Sequence, residues 1–549
     1  MVASLSLANL IFLKIWENLL TSSGASGYWR KDLPPPSDYA AAAINVLILG
    51  ALIFLVFRMG RSQRYLRPGQ RNRLLYAVYL VFLGLIVLAL LITAHDMLPG
   101  IVETMGFQFP THGSSIEAIL AFTVLLAEAK GSNGFTKVQF QFLLLMAPLV
   151  LIVFGNAAFH AFGQEGVAMA DGPFAPALAP PPSAPHVIWV IFDEWDEALS
   201  FPERPADLQM PEVDRLRKES FYSDAAQTPG PGTDISIPSL TTGRRVEAVQ
   251  TDGPRELLLR FKGSKGWAKW GSTPNVFSEA RKLGFNTGVV AWALPYCRVL
   301  SASLTGCQWD GAGIMGNTGG AGFFGVLLNQ PRELWETNTG RSLFGQPIAA
   351  KRHAWLYYQL LSWSESVVRA QPYNLTLLHI GIPHAPFFYN RRTGRDDLYA
   401  YPLASVLHSP LKGYIDALVL TDRMIGTLRH AMEQAGVWDN TIVLFTADHY
   451  FRKRPQFDGK PVCQQVPFIL KLAHQNRSIA YNRPFSAMLT HDLLPALLQR
   501  QVVTPEEVGV WLDAHRQAFS LAGEQTDGAN RTSGGRRHES VEGKLKTKT

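Results

Sequence analysis

Four short stretches carry residue types that could share one piece of chemistry. "VIFDEWDE" brings Asp193 and Glu194 to the end of an apolar run, and "GPGTDISIPSLTTG" offers Thr233 among several hydroxyls. "HIGIPHAPF" contains His379 and His384, and "TIVLFTADHY" ends just past Asp448 and His449. Singly, each has an ordinary reading: an acidic run is usually a solvated turn, an Asp-His pair caps or bridges at a strand end, and a lone His there is usually a satisfied core residue. Jointly they are the converging carboxylate and imidazole donors that a divalent ion needs. A hydroxyl beside such an ion becomes a usable nucleophile, because coordination activates an otherwise weak alcohol.

The elements that must position these residues are visible as patterns. "HVIWVIFD" is a buried strand, "NVFSEARKLGFNTGVVAW" a helix, glycine turn and strand, and "NLTLLHI" another strand. "GYIDALVLTDRMIGTLRHAMEQAG" is a long helix, followed by the strands "NTIVLFTAD" and "VPFILKL". Strand and helix in alternation predict an α/β domain with a mainly parallel sheet and helices on both faces. In such sheets ligands gather outside the C-terminal strand ends. Asp193, Asp448 and His449 fall there, with His379 near its strand's end and His384 just beyond; Thr233 opens a segment after the first helix.

The N-terminal third is of another kind. Residues 74–94 form an uncharged apolar run of bilayer-spanning length, and 41–57 and 138–156 make two further spans. Residues 6–22 and 116–129 are shorter candidates, either spans or interfacial amphipathic helices, which gives an expected bundle of about five. The loop 58–73 holds Arg58, Arg61, Arg64, Arg67, Arg71 and Arg73, and such clustering marks the cytoplasmic side. If 116–129 crosses back, everything after about 157 lies outside. Cys297 and Cys307, close together among three cysteines, form either a small disulfide loop, which favours the outside placement, or two buried thiols. Cys463 is left over.

The chain thus divides into a helical anchor at 1–160, an Ala/Pro-rich linker at 161–185, a soluble domain at 186–522 and a polar tail at 523–549 expected to be disordered. The formal charge of +7 owes much to the arginine loop and the tail. Neither implies nucleic acid, though the loop suits anionic lipid headgroups. "GAGIMG" at 311–316 fits G-x-G-x-x-G, but it follows "CQWD" rather than an evident strand, so a dinucleotide site is not expected.

In their order, "VIWVIFDE", "GTDISIPSLTTG", "HIGIPHAPF", "TIVLFTADHY" and "QQVPFILKL" resemble the alkaline phosphatase superfamily. The resemblance is to its sulfatase-like branch of membrane-anchored phosphotransferases, which includes lipoteichoic acid synthases and lipid A phosphoethanolamine transferases, and it covers about 186–500. It implies an alkaline-phosphatase-like α/β/α sandwich, a Zn²⁺ or Mn²⁺ ion, and a catalytic domain on the periplasmic or extracellular side of a multi-pass cytoplasmic-membrane protein. The implied reaction moves a phospholipid headgroup, of phosphoethanolamine or phosphoglycerol type, onto an envelope glycan or lipid. Family spacing puts the nucleophile five residues before Pro238, on Thr233, which would also touch the metal. Asp193, Asp448 and His449 match the family's ligands, Glu194 is a second acidic donor, and His384 matches the His that contacts the phosphate or protonates the leaving group. His379 is expected to be structural.

The chain departs from the family in three places. No C/S-x-P-x-R signature surrounds Thr233, which weakens a true sulfatase reading. Gln465 stands where phosphoethanolamine transferases carry a His, which puts a second metal site in doubt, and Pro231 and Ser239 stand where those enzymes have a flanking disulfide. A hydrolase of phosphate or sulfate esters and a non-catalytic envelope scaffold are the alternatives.

Overall fold

The computed structural model describes residues 1–20, 28–64, 74, 141–163, 171–311, 322–339, 347–396, 410–457 and 459–527. The expected span at 74–94 beyond Leu74, the candidate at 116–129, most of "GAGIMG" and the tail from 528 lie outside them.

The N-terminal helices are α1 (Val2–Ile11), α2 (Leu13–Leu20), α3 (Pro36–Arg64) and α4 (Ala147–Gly163). Among the described residues two helices are long and apolar enough to cross a membrane, Pro36–Met59 and Gln141–Gly163. The first candidate stretch is a pair of helices bent by 63° at Phe12. These helices share their own cluster, in which Leu7, Trp16, Tyr39, Val46, Ile53 and Val153 are buried.

The soluble domain is built on an eight-stranded sheet: β1 (His186–Phe192), β2 (Phe221–Ser223), β3 (Thr287–Trp292), β4 (Gly306–Asp310), β5 (Leu375–Ile380), β6 (Thr441–Ala447), β7 (Phe468–Lys471) and β8 (Ile479–Ala480). The strand order is β8-β2-β7-β6-β1-β5-β3-β4. Only β7 runs against its neighbours, so the α/β class with a mainly parallel sheet holds. The central strands are continuous apolar runs because both faces are covered. One layer holds the helices Ile348–Ala370, Pro410–Gln434 and Pro211–Glu219, and the other holds α5 (Thr233–Thr242), Val276–Lys282 and Thr490–Leu498.

Three features differ from the sequence expectations. Residues 306–310 are a strand at the sheet edge, so "GAGIMG" does follow one; the run "GCQWD" conceals it because polar residues suit an edge. The final helix, Pro505–Asp527, runs past the expected boundary at 522. Anchor and domain are also less separate than the linker implies, since Tyr28 is fully buried in the domain core. The linker itself is pinned, with Gly172 and Ala175 donating backbone hydrogen bonds to Cys297 and Leu304, and Leu178 donating to Asn286.

Candidate active site

β1 and β6 lie side by side and end together, Phe192 opposite Ala447, so the next residues, Asp193 on one strand and Asp448 and His449 on the other, enter the same space. All three are buried, with side-chain donor atoms lying within 4.8 Å of one another. Thr233 is the first helical residue of α5, so its hydroxyl lies at the positive end of that helix. Thr233 Oγ1 donates to Asp193 Oδ2 at 3.0 Å and sits 3.5 Å from His449 Nε2. The fold thus gathers Asp193, Thr233, Asp448 and His449 from three separated segments.

The other hydroxyls of the segment are spent on backbone. Ser236 donates to the Gly230 carbonyl, Ser239 to Ile235, Thr241 to Ile237 and Thr242 to Pro238, while Thr228 donates to the Asp448 carbonyl. Gly243, at φ +65°, ends the helix in the left-handed conformation that glycine adopts freely.

The donor set fits a divalent cation. Asp193 Oδ1 and Asp448 Oδ2 are buried with His449 Nε2 as their near neighbour, an expensive arrangement unless positive charge, on that imidazole or as a bound cation, pairs with them. His449 Nδ1 donates to the Tyr450 carbonyl, which turns Nε2 toward Asp193 at 3.3 Å and Asp448 at 3.6 Å. Burial opposes charge on His449, but the carboxylates of Asp448 and Asp193 outweigh it and raise the imidazole to about 9. Burial and the neighbouring Asp193 charge lift Asp448 to about 6. For Asp193 burial acts upward, yet His384, His449 and His379 together hold it below the usual carboxylate range. The site therefore attracts positive charge.

Glu194 is not in this cluster. Its backbone has φ +69°, a conformation rare outside glycine. Glu194 Oε1 instead accepts from the Arg452 backbone N–H at 3.2 Å and from Arg452 Nε at 3.3 Å.

Arg452 also donates from Nη2 to His384 Nε2 at 3.0 Å, while His384 Nδ1 donates to the Ala385 carbonyl. An arginine has no acceptor, so Nε2 of His384 must present its lone pair. His379 is fully buried and stands against the cluster, with Nε2 3.9 Å from Asp193 Oδ2 and Nδ1 2.8 Å from the Tyr296 hydroxyl. Burial depresses it to about 4, so it is neutral. Sequence reasoning passed over Arg452 and Tyr296, since neither lies in a motif. Cys297 and Cys307 are joined in a disulfide directly after Tyr296, and Cys463 is free.

Comparison with known proteins adds a class. Residues 356–500 match the family model "Sulfatase" and include His379, His384, Asp448 and His449. An ulvan-active sulfatase of Formosa agariphila is 29% identical over 146 residues, which are 23% of this chain and 27% of that protein, so the match spans about a quarter of the curated relative. Among solved structures, the phosphonate monoester hydrolase of Silicibacter pomeroyi aligns at 15% identity over 57% of this chain and 72% of its own, with a TM-score of 0.39. That of Agrobacterium radiobacter aligns at 13% identity over 57% and 74%, with a TM-score of 0.36. Residues 356–500, about a quarter of the chain, are thus a segment that matches the sulfatase family.

Proposed function

We propose that the protein is a membrane-anchored, metal-dependent sulfatase-like enzyme in which Thr233 opens the phosphodiester of a phospholipid and passes the headgroup to a hydroxyl of an envelope glycan or lipid. The observation that carries this reading is the Thr233 hydroxyl held on Asp193 beside the buried oxygens of Asp193 and Asp448 and the Nε2 of His449. Asp193, Asp448, His449 and Thr233 would hold a Zn²⁺ or Mn²⁺ ion, which supplies activation of the hydroxyl and offsets charge on the phosphate oxygens.

The chain's own groups do the rest. Asp193 orients the nucleophile. In the first half-reaction a Thr233 Oγ–P bond forms, the P–O bond to the lipid glycerol breaks, and the hydroxyl proton ends on the glycerol oxygen. In the second, an acceptor hydroxyl attacks phosphorus, the Oγ–P bond breaks, and the acceptor's proton returns to Thr233. His384, presenting Nε2 as an acceptor, is placed to take the incoming hydroxyl's proton and relay it.

The connection to the anchor supports a lipid donor. Arg298, two residues from Tyr296, donates to the backbone carbonyls of Arg30 and Lys31, so the segment entering α3 is bound close to the site. It also supports the outside placement without recourse to residues 116–129. The domain grips the Pro36 end of α3, whereas Arg58, Arg61 and Arg64 lie at its far end, where the cytoplasmic side is expected. The disulfide Cys297–Cys307 suits the same compartment.

The sulfatase-family match favours a second reading, in which water rather than a glycan hydroxyl resolves the intermediate. Two experiments test these readings. The purified full chain, loaded with metal and mixed with phospholipid, should acquire a headgroup-phosphate mass on the peptide containing Thr233, and Thr233→Ala should acquire none. Adduct formation in that variant would remove Thr233 as nucleophile. Envelope mass spectrometry with and without the gene then separates transfer from hydrolysis, because only transfer leaves a substituent to lose.

A further inference from the structure

The helix α6 (Phe323–Thr339) belongs to the soluble domain in sequence, yet its sidedness is inverted. Among its described side chains the exposed positions are Phe324, Leu328, Pro331 and Trp335, spaced by four, three and four residues, which is one stripe of a helix. Phe324 and Leu328 are 75% and 74% exposed. Its buried positions include Gln330 and Glu333 beside Val326 and Leu334. A helix in water does the opposite.

What α6 packs against says which medium it meets. Asn45 of α3 donates to the Leu327 carbonyl at 3.0 Å and to Gln330 Oε1 at 3.1 Å, and Gln330 Nε2 donates to the Asp38 carbonyl at 3.0 Å. As α6 advances from 327 to 330, its partners on α3 retreat from 45 toward 38, so the two run antiparallel. Leu334 joins the apolar cluster of the anchor helices, not that of the soluble domain.

Depth follows from helix geometry. The apolar window Pro36–Met59 is 24 residues, or ~36 Å of helix against a hydrocarbon core of ~30 Å. Asn45 lies ~13 Å along the axis from Pro36, hence ~10 Å inside the core edge when the window is centred. Leu327 shares that level, Gln330 lies ~5 Å nearer the edge, and Phe323 and Phe324 lie deeper still. On α3 at the same level Leu47 and Ile48 are exposed, 50% and 48%, to the medium that must cover Phe324 and Leu328. Trp335, toward the Asp38 end, is exposed at the height where aromatic belts form.

We infer that α6 is a membrane-inserted helix of the catalytic domain, lying along α3 with the stripe Phe324, Leu328, Pro331 and Trp335 embedded in the acyl chains and interface of the outer leaflet. The domain is then seated in the bilayer by its own sequence as well as tethered to it. The site is held at a fixed height, and a lipid donor need not leave the leaflet to reach it. The inference rests on α3 crossing the membrane.

The test uses the full chain in phosphatidylcholine–phosphatidylglycerol vesicles. In a Cys463→Ser background, Phe324→Cys, Leu328→Cys, Ile48→Cys and Val510→Cys are each labelled with an environment-sensitive fluorophore. All four native side chains are exposed, so the fold does not depend on them. Lipids with nitroxide on the acyl chain should quench the labels at 324 and 328 as strongly as that at 48 and leave that at 510 unchanged, while aqueous iodide should quench only 510. Quenching at 48 with iodide-accessible labels at 324 and 328 would overturn the insertion of α6 alone. Labels at 324 and 328 shielded from both quenchers would mean that protein covers the stripe, and would overturn it as well. An unquenched label at 48 would overturn the spanning of α3 and the inference with it.

Discussion

Glu197 lies one short turn after β1 and is 3% exposed. Its Oε1 accepts the Tyr222 hydroxyl, and its Oε2 is buried with no partner. Burial is the largest influence and lifts the carboxyl to about 8; the Tyr222 hydrogen bond acts in the opposite direction and does not offset it. The unfolded chain titrates this group near 4.5. Because the fold raises the pKa, Glu197 contributes stability that is fully present below 4.5 and is lost as pH rises through 8. A shift of that size corresponds to an upper bound of ~5 kcal/mol at ~1.4 kcal/mol per unit. Relaxation and water entry around a buried charge reduce what is realised to ~2 kcal/mol. Glu197→Gln keeps the shape and removes the ionisation. Thermal unfolding of the full chain in detergent should give matching midpoints for the two proteins at pH 4. At pH 8.5 the variant should unfold ~3 °C higher, taking ~1.4 °C per kcal/mol from ~2.1 cal/mol/K per residue over a domain of about 340 residues. The comparison cancels every other titrating group. Midpoints that differ by the same amount at both pH values would show that Glu197 binds protons equally in the folded and unfolded chain over this range, and the argument that burial raises its pKa would fail.

Asp448→Asn should weaken binding of Zn²⁺ or Mn²⁺ by roughly 100-fold or more, since even groups behind the ligands are worth 10–100-fold; calorimetric titration of the purified protein checks this, and unchanged affinity would remove Asp448 from the ion site. Arg452→Ala should lower turnover by about 10-fold or more through the loss of its contact with His384, with metal affinity unchanged, and a parallel loss of metal would instead make Arg452 part of the cation site.

How far the sequence was legible follows from which forces act along the chain and which act across it. The strands "VIWVIF", "LTLLHI" and "TIVLFTA" were evident because central parallel strands are apolar on both faces, and their C-terminal ends then indicate where Asp193, Asp448 and His449 must emerge. The edge strands β4 and β8 and the three-residue β2 beside the latter were not, being short or polar, and neither was the small antiparallel sheet of Val246–Thr251, Leu257–Phe261 and Ala268–Lys269. Glu194 reads as a second donor because adjacent carboxylates are indistinguishable in a sequence; the structure adds that its Oε1 accepts from Arg452. Tyr296 and Arg452 acquire meaning only from His379 and His384, residues far away in the chain. Tyr28 shows the same limit at domain scale, because composition assigns it to the anchor while packing places it in the catalytic core. For α6 the periodicity was present but its sign was not. A stripe of Phe324, Leu328, Pro331 and Trp335 beside polar Gln330 and Glu333 reads equally well as a core-facing helix until Asn45 shows which side faces protein. That hydrogen bond decides which stripe is buried in protein and which is left to the lipid.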